Sequence, residues 1–372
     1  MKNTTAPPLR VPYLDLTAQH APIKGEIMEA IGKVIDTNAF VLGPSVAAFE
    51  RRFAEYCGAE HCVAVNTGTA ALHLALLAYG IGPGDEVITQ ANTFIATVAA
   101  IMYTGARPVL VDVEGPTFTI GLTAVENAIT PKTKAILPVH LFGQPCDLDG
   151  LRKIAARQGI ALIEDASQAH GAVYHGSKVG ESGTATFSFY PGKNLGACGE
   201  GGGIVTDDPD VAHRLRLLRN HGSEVKYRHD VLGYNYRLEG VQGAVLDVKT
   251  RYLDLWTLER RRVASEYDAL LAEFKRPELL ADTASAYHIY PVFVSNRDAV
   301  RDALAQAGIE TNVHYPIPCH MQPGYTGLGY SVGAFPVSER LASQELSLPI
   351  FPEMTTAQIE HVARELKQVA ER

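Results

Sequence analysis

Lys193 follows an apolar run and sits among glycines in the segment FSFYPGKNLGACGEGGGIVTDD. Pro191, Gly192 and Gly196 flank it, and GEGGG follows. Glycine lets a backbone approach a ligand closely and take positive φ. A lysine in half-apolar surroundings loses part of its hold on the ammonium proton, and the free amine can then condense with a carbonyl as a Schiff base. Read alone, the segment fits an exposed loop lysine better. GEGGG is out of register with the GxGxxG dinucleotide fingerprint, and no ribose-binding acid follows at the usual distance, so a nicotinamide cofactor is not expected.

In GIALIEDASQAHGA, Glu164 and Asp165 end an apolar strand, where a buried charge is costly without a partner. An aspartate there can bind a metal, act as a general base, or be the counter-ion of a buried protonated nitrogen; it can also simply cap the next helix. A metal needs further ligands, and His170 and His175 are not spaced to supply them. The third segment, VAVNTGTAALHLALL, reads strand, Asn-Thr-Gly-Thr, helix. Free N–H groups and hydroxyls at a helix start form a phosphate cradle, although an ordinary threonine cap looks the same. No Gly-Lys-Ser/Thr follows, so this is not a Walker A loop. Together the three segments offer N–H donors, a carboxylate and an amine, in that order. These are what pyridoxal 5′-phosphate requires for its phosphate, its pyridine nitrogen and its aldehyde. Phe94 in QANTFIAT can stack on the ring, or serve as ordinary core.

These residues need a scaffold that brings them together. CVAVN, EVITQ, RPVLVDV, KAILPVHLFG, IALIEDAS and ATFSFYP alternate with helical segments such as ALHLALLAYG, TFIATVAAIMYTG and Leu148–Gln158. Short buried strands separated by helices predict an α/β fold with a mostly parallel sheet, whose functional groups gather at the carboxyl ends of the strands. Upstream, Ser45 is expected to cap a helix with Val46, Phe49, Phe53 and Tyr56 on one face and Gly58 at its end. Across Tyr234–Trp256 a long helical stretch leads into ERRRVASEYDALLAEF. HIYPVFV and a helix around Arg297–Ala307 then predict a smaller α+β unit. The expected division is a large α/β domain over 1–250, including the amino-terminal segment, and a small domain over 251–372.

The 372 residues are 46% apolar and 20% charged, with a formal net charge of −8. That composition supports a large buried core and argues against disorder. No Lys/Arg run marks a nucleic-acid surface. The stretch MKNTTAPPLRVPYLDL lacks the apolar segment of a secretory signal. Cys62–Gly84 and Val87–Ala106 carry no formal charge, but their Asn, Thr and Gly content fits buried core better than membrane. Five scattered cysteines (57, 62, 146, 198 and 319) without a CxxC pair predict reduced thiols in a cytoplasmic protein, with neither disulfides nor zinc.

NTGTAAL, EDASQAHGA, SFYPGKNLGACGEGG, LRNHG, GYNYRL and HYP, in this order, resemble the DegT/DnrJ/EryC1/StrS family of sugar aminotransferases, from about Tyr13 to the carboxyl terminus. The resemblance implies a fold-type I pyridoxal-phosphate transferase. Lys193 would hold the cofactor's aldehyde, and Asp165 would pair with its pyridinium nitrogen. Gln168 would lie against the ring and its O3′, and Phe94 would stack on its face. Gly68, Thr69 and Ser188 would bind the phosphate, joined by Asn235 from the neighbouring subunit of a homodimer. L-Glutamate would be the amino donor and a nucleotide-linked keto-sugar the acceptor. His314 and Tyr315 correspond to the position that meets the sugar or its nucleotide. Arg219, His221 and Arg237 are candidates for phosphate or carboxylate contacts, or, for the two arginines, structural ion pairs. Relatives with histidine in place of Lys193 act as dehydratases, so the lysine argues for transamination. LDVKTRYLDLWTLERRRVASEY resembles the members that act on 3-keto-6-deoxy sugars. The alternatives are a 4-keto sugar, a UDP-linked 3-keto sugar, scyllo-inosose, a non-catalytic cofactor-binding regulator, and a nicotinamide oxidoreductase.

Overall fold

The computed structural model describes residues 9–370; the first eight residues, part of the stretch read above for a signal, lie outside the described residues. Seven strands form the main sheet: β1 (His61–Val65), β2 (Glu86–Gln90), β3 (Arg107–Val111), β4 (Thr133–Ile136), β5 (Ala161–Asp165), and, after the short β6 (Val173–Tyr174) and β7 (Ser177–Lys178), β8 (Thr184–Ser188) and β9 (Gly202–Thr206). Their spatial order is β1-β9-β8-β5-β4-β2-β3. The pairs from β8 through β5, β4 and β2 to β3 are parallel, while β9 runs antiparallel to both β8 and β1. Two reversals restore the direction, so β1 points the same way as β8, and six of the seven strands end at one edge. The sheet is the expected α/β sheet. Most of its residues are buried, which is why the strands read as apolar runs and not as alternating ones.

Before the sheet come α1 (Leu16–His20), α2 (Lys24–Thr37) and α3 (Gly43–Cys57); α4 (Gly68–Ala78), α5 (Ile95–Tyr103), α6 (Leu122–Ala128), α7 (Leu148–Gln158) and α8 (Pro209–Arg219) connect and cover the strands. α3 ends at Gly58 with a left-handed φ of 75°, as expected. Its start corrects the reading of Ser45 as a cap: the helix begins at Gly43 with Pro44 in its first turn, and Ser45 lies inside that turn. Proline's fixed φ and missing N–H suit the first turn, where no hydrogen-bond donor is needed. Val46, Phe49 and Phe53 are fully buried against Phe187 and Phe189.

The long helical stretch expected over Tyr234–Trp256 is shorter and broken. Residues 234–239 are extended, with bridges Asn220↔Asn235, Val65↔Arg237 and Val41↔Glu239. Tyr234 and Tyr236, two positions apart, share one face and stack on each other at 5.2 Å, with His73 of α4 edge-on to Tyr234 at 4.9 Å and tilted to Tyr236 at 6.0 Å. This is a period of two and not of 3.6. Helix then runs as α9 (Gly240–Thr250) and α10 (Leu253–Leu270).

Past β10 (Thr283–Ala284), strands β11 (Tyr290–Phe293) and β12 (Glu345–Leu348) pair antiparallel among α11 (Arg297–Gln306), α12 (Pro336–Gln344) and α13 (Thr356–Ala370). Tyr267, Tyr290, Val292, Leu304, Leu346, Ile359 and Leu366 form a second core, to which Val11 also belongs. The amino-terminal backbone is tied there: Val11 N donates to Gly308 O and Glu310 N to Val11 O, both at 2.9 Å. α10 spans both cores, with Trp256 against Ile27 and Val248 at one end and Val263 and Tyr267 in the second core. Among the described residues no helix is long and apolar enough to cross a membrane. The charge-free stretches are divided between β1 with α4 and β2 with α5.

Candidate active site

Asp165, the last residue of β5, is almost fully buried at the carboxyl edge of the sheet. Thr97 in the first helical turns of α5 donates its hydroxyl to Oδ2 at 2.8 Å, and Ser167 N donates to Oδ1 at 3.1 Å. The carboxylate is therefore held by one donor per oxygen, and its remaining lone pairs can meet a cationic N–H. Sequence reasoning did not find Thr97. Its only signal was its place three residues after Phe94, on the same side of a helix start.

Lys193 stands in the loop between β8 and β9, half-buried, with its backbone N–H on Tyr190 O at 2.9 Å. The loop is clamped on both sides. Asn194 donates to Ala286 O at 2.8 Å and its oxygen lies 3.2 Å from His288 Nδ1. Lys249, buried in α9, donates to Gly196 O. Burial pushes the Lys193 ammonium down to about 8, and the charge of Asp165 pulls the other way. The same burial, helped by the Lys193 charge, lowers His170 to about 3, His314 to about 4 and His288 well below its ordinary value. Three neutral imidazoles thus feel the lysine's charge; His170 had been weighed in the sequence only as a metal ligand, and His288 went unnoticed.

The start of α4 supplies the third element. Thr67 caps the helix, its hydroxyl accepting from Ala70 N at 2.9 Å, which leaves the N–H groups of Gly68 and Thr69 without helical partners. Ser188, at the end of β8, lies directly across. A Cβ on Gly68 would come within 2.6 Å of Ser188 Cβ, so only glycine permits this approach. Gly202, which opens β9, is equally confined, since a Cβ there would meet Thr67 O at 2.2 Å. Two free N–H groups, a hydroxyl and a helix N-terminus form an anion site. With a buried carboxylate and a deprotonatable amine at the same edge of the sheet, this donor set fits pyridoxal 5′-phosphate. Gly68→Ala is expected to force Ser188 aside at an overpacking cost of about 1–3 kcal/mol. Cofactor affinity, read by spectrophotometric titration, should fall about tenfold or more, because 1.4 kcal/mol is a factor of ten.

Phe94, immediately before α5, is half-exposed, 5.4 Å from the Tyr315 ring. Gln168 bridges the site: Oε1 accepts from Phe142 N at 2.6 Å and Nε2 donates to Tyr315 Oη at 3.0 Å. His314 stacks with Tyr13 and its Nδ1 lies 2.7 Å from Ser347 Oγ. Arg219 is corrected as a ligand contact: it is buried and committed to Glu50 and to Ala64 O at 2.7 Å, the structural ion pair. Arg237 bonds Asn220 Oδ1 at 3.0 Å and keeps Nε without a partner among the described residues. His221 and Asn235 are exposed on the α8–α9 connection, where Asn235 bridges to Asn220.

Comparison with known proteins bears on this arrangement. The profile of the DegT/DnrJ/EryC1/StrS aminotransferase family matches residues 22–367. The chain is 48% identical over 361 residues to "Erythromycin biosynthesis sensory transduction protein EryC1" of Saccharopolyspora erythraea, covering 96% of this chain and 99% of that one. It is 46% identical over 367 residues to dTDP-3-amino-3,4,6-trideoxy-alpha-D-glucose transaminase of Streptomyces venezuelae, covering 98% and 97%. The crystal structure of S. venezuelae DesV in complex with a ketimine intermediate superposes with a TM-score of 0.96 at 46% identity, over 98% of this chain and 99% of that one. Solved structures of the same fold hold the cofactor in its pyridoxal and pyridoxamine forms.

Proposed function

We propose that this chain, which belongs to the DegT/DnrJ/EryC1/StrS aminotransferase family, takes the amino group of L-glutamate and places it on C3 of a dTDP-linked 3-keto-6-deoxyhexose. It is a pyridoxal 5′-phosphate-dependent sugar-nucleotide aminotransferase. The observation that carries the finer reading is the near full-length identity of 46% to a transaminase named for a dTDP-3-amino sugar.

The bound cofactor supplies the carbonyl that takes up nitrogen and an electron-withdrawing ring. The residues supply the rest. Asp165, fixed by Thr97 and Ser167, places negative charge where a protonated ring nitrogen needs it. Gly68, Thr69 and Ser188 hold the phosphate and so fix the cofactor's depth. Phe94 covers one face against water, and Gln168, itself anchored on Phe142 N, meets the ring's O3′ side. Lys193 would hold the cofactor's aldehyde through Nζ, and its amine, when free, would move a proton to and from the donor's Cα. His314 and Tyr315 face the sugar or its nucleotide. Asn235, exposed at the surface, would reach the phosphate site of the neighbouring subunit, so the working unit would be a homodimer. The large domain, expected over 1–250 but without the amino-terminal backbone around Val11 that packs into the second core, would carry the cofactor, and the small domain over 251–372 would complete the substrate side.

The test is the absorption spectrum of the purified holoenzyme with and without L-glutamate, followed by NMR of the product from keto-sugar nucleotides. A visible band that gives way to a near-ultraviolet one, and an amino group on C3 of a dTDP-sugar, are expected. Amination only of a 4-keto sugar, a UDP-3-keto sugar or scyllo-inosose replaces the substrate reading, and a band indifferent to every amino donor overturns transamination.

A further inference from the structure

His314 is suspended from strand β12 by two polar groups. Its backbone N–H donates to Glu345 Oε2 at 2.7 Å, and its ring Nδ1 lies 2.7 Å from Ser347 Oγ. Ser347 Oγ is in turn hydrogen-bonded to Glu345 Oε1. Glu345 and Ser347 stand two residues apart on one face of the strand, and both are essentially inaccessible to solvent. The ring's Nε2 has no hydrogen-bond partner and is not among the sealed polar atoms of the described residues.

A serine hydroxyl has one proton to donate, so, with the Tyr13 phenol as a further neighbour of Oγ, its bonds to Glu345 and His314 share a direction when that proton lies between them. With Glu345 ionised, Ser347 must donate to Oε1 and accept from Nδ1–H, which leaves Nε2 bare. With Glu345 protonated, Oε1–H donates to Ser347, Ser347 donates to Nδ1, and the imidazole proton sits on Nε2. We propose that Glu345 sets, through Ser347, which nitrogen of His314 carries the proton, and so whether Nε2 is a hydrogen-bond acceptor or a donor toward the catalytic cleft. One proton separates the two forms. As it leaves Nε2, the serine proton passes to Nδ1 and the carboxyl proton to Oγ, so a sealed acid exchanges with solvent through an open ring nitrogen. Glu345 is a positioning residue in this scheme.

The surroundings place both forms within reach. Burial pushes the Glu345 carboxyl up to about 8, against the Ser347 and His314 hydrogen bonds and the Arg297 charge. His314, lowered to about 4, stays neutral throughout, so its tautomer is the only variable. The groups facing Glu345 are Arg297, which donates to the Glu345 backbone carbonyl at 3.1 Å and pairs with Asp298, together with Tyr13 and Tyr315. Burial raises both phenols, so they remain protonated here. Lys193, pushed down to about 8, titrates in the same range, so variants and not pH alone must carry the test.

The experiment is long-range 1H–15N correlation spectroscopy on histidine-15N-labelled protein, with His314 assigned by its loss in His314→Gln. In wild type the Nδ1–H form is expected at about pH 9.5 and the Nε2–H form at about pH 6. In Glu345→Gln the amide stands in for the protonated acid, donating to Ser347, so Nε2–H should persist at both values. Ser347→Ala removes the relay and should make the tautomer indifferent to pH. The same tautomer in wild type and Glu345→Gln at the higher pH, or a wild-type titration in Ser347→Ala, overturns the proposal. These spectra do not depend on which sugar is aminated, so this inference and the proposed function fail separately.

Discussion

Lys193→Ala is expected to lower transamination by about 10⁴-fold or more, the upper range of what a positioned acid/base group contributes, because in the proposed role the same side chain would also hold the cofactor. Single-turnover conversion of L-glutamate to 2-oxoglutarate measures it. Lys193→Arg should lose as much: a guanidinium keeps the charge but has no lone pair to offer at these pH values. Folding should not suffer. The Lys193 side chain has neither a hydrogen-bond nor an ion-pair partner among the described residues, and its ammonium is desolvated, so its removal should leave the melting temperature unchanged or slightly raised. The pH dependence has a definite sign. Since burial holds the ammonium near 8, the fraction of free amine in the cofactor-free protein rises with pH up to about 8 and then levels off. The rate of cofactor capture should do the same, about tenfold per pH unit on the rising limb, as one ionisation requires. Turnover within tenfold of wild type in either variant would remove Lys193 from the chemistry.

The parts of this site that were legible in the sequence are those where a residue type and a strand end coincide. Apolar runs of about five residues mark buried parallel strands whatever surrounds them, and Asp165, Gly68, Ser188 and Lys193 each fall at or just past such a run. β9 was not read as a strand because Gly202 and Gly203 have no β propensity of their own. They are required by contacts with Thr67 and Phe189, which only the folded chain brings near. The extended Tyr234–Glu239 segment was read as helix for a related reason: its bridges to Asn220, Val65 and Val41 are long-range, and local pattern cannot see them. Arg219 shows the limit for charges. Its partner Glu50 is 169 residues away, so an anion ligand and an internal carboxylate looked alike until the pair was in view. The groups that hold the reactive ones, Thr97, Asn194, Glu345 and Ser347, are common polar residues with no spacing signature, and their roles exist only in three dimensions.

Replacing Asp165 by Asn separates the charge of this residue from its place in the fold. The amide is nearly isosteric, and its oxygen can still accept one of the bonds now made by Thr97 and Ser167, so the protein should fold. What disappears is the negative charge that, in the proposed role, would pair with a protonated ring nitrogen at this buried position. Electrostatic groups of this kind are worth about 10²–10³ in kcat when removed, and kcat/KM for L-glutamate is expected to fall at least that far. Thr97→Val, which removes one of the carboxylate's two tethers but keeps the charge, should cost far less. A second consequence has a fixed sign. Asp165 pulls the Lys193 ammonium upward against burial. Without that charge the lysine's value must drop below about 8, and the rising limb of cofactor capture in the Asp165→Asn apoprotein must move to lower pH. A carboxylate that merely held the turn after β5 through Ser167 would show a lowered melting temperature and an unmoved limb. A charge working on both the cofactor and the lysine predicts the reverse: intact stability, slow turnover and a limb displaced toward acid.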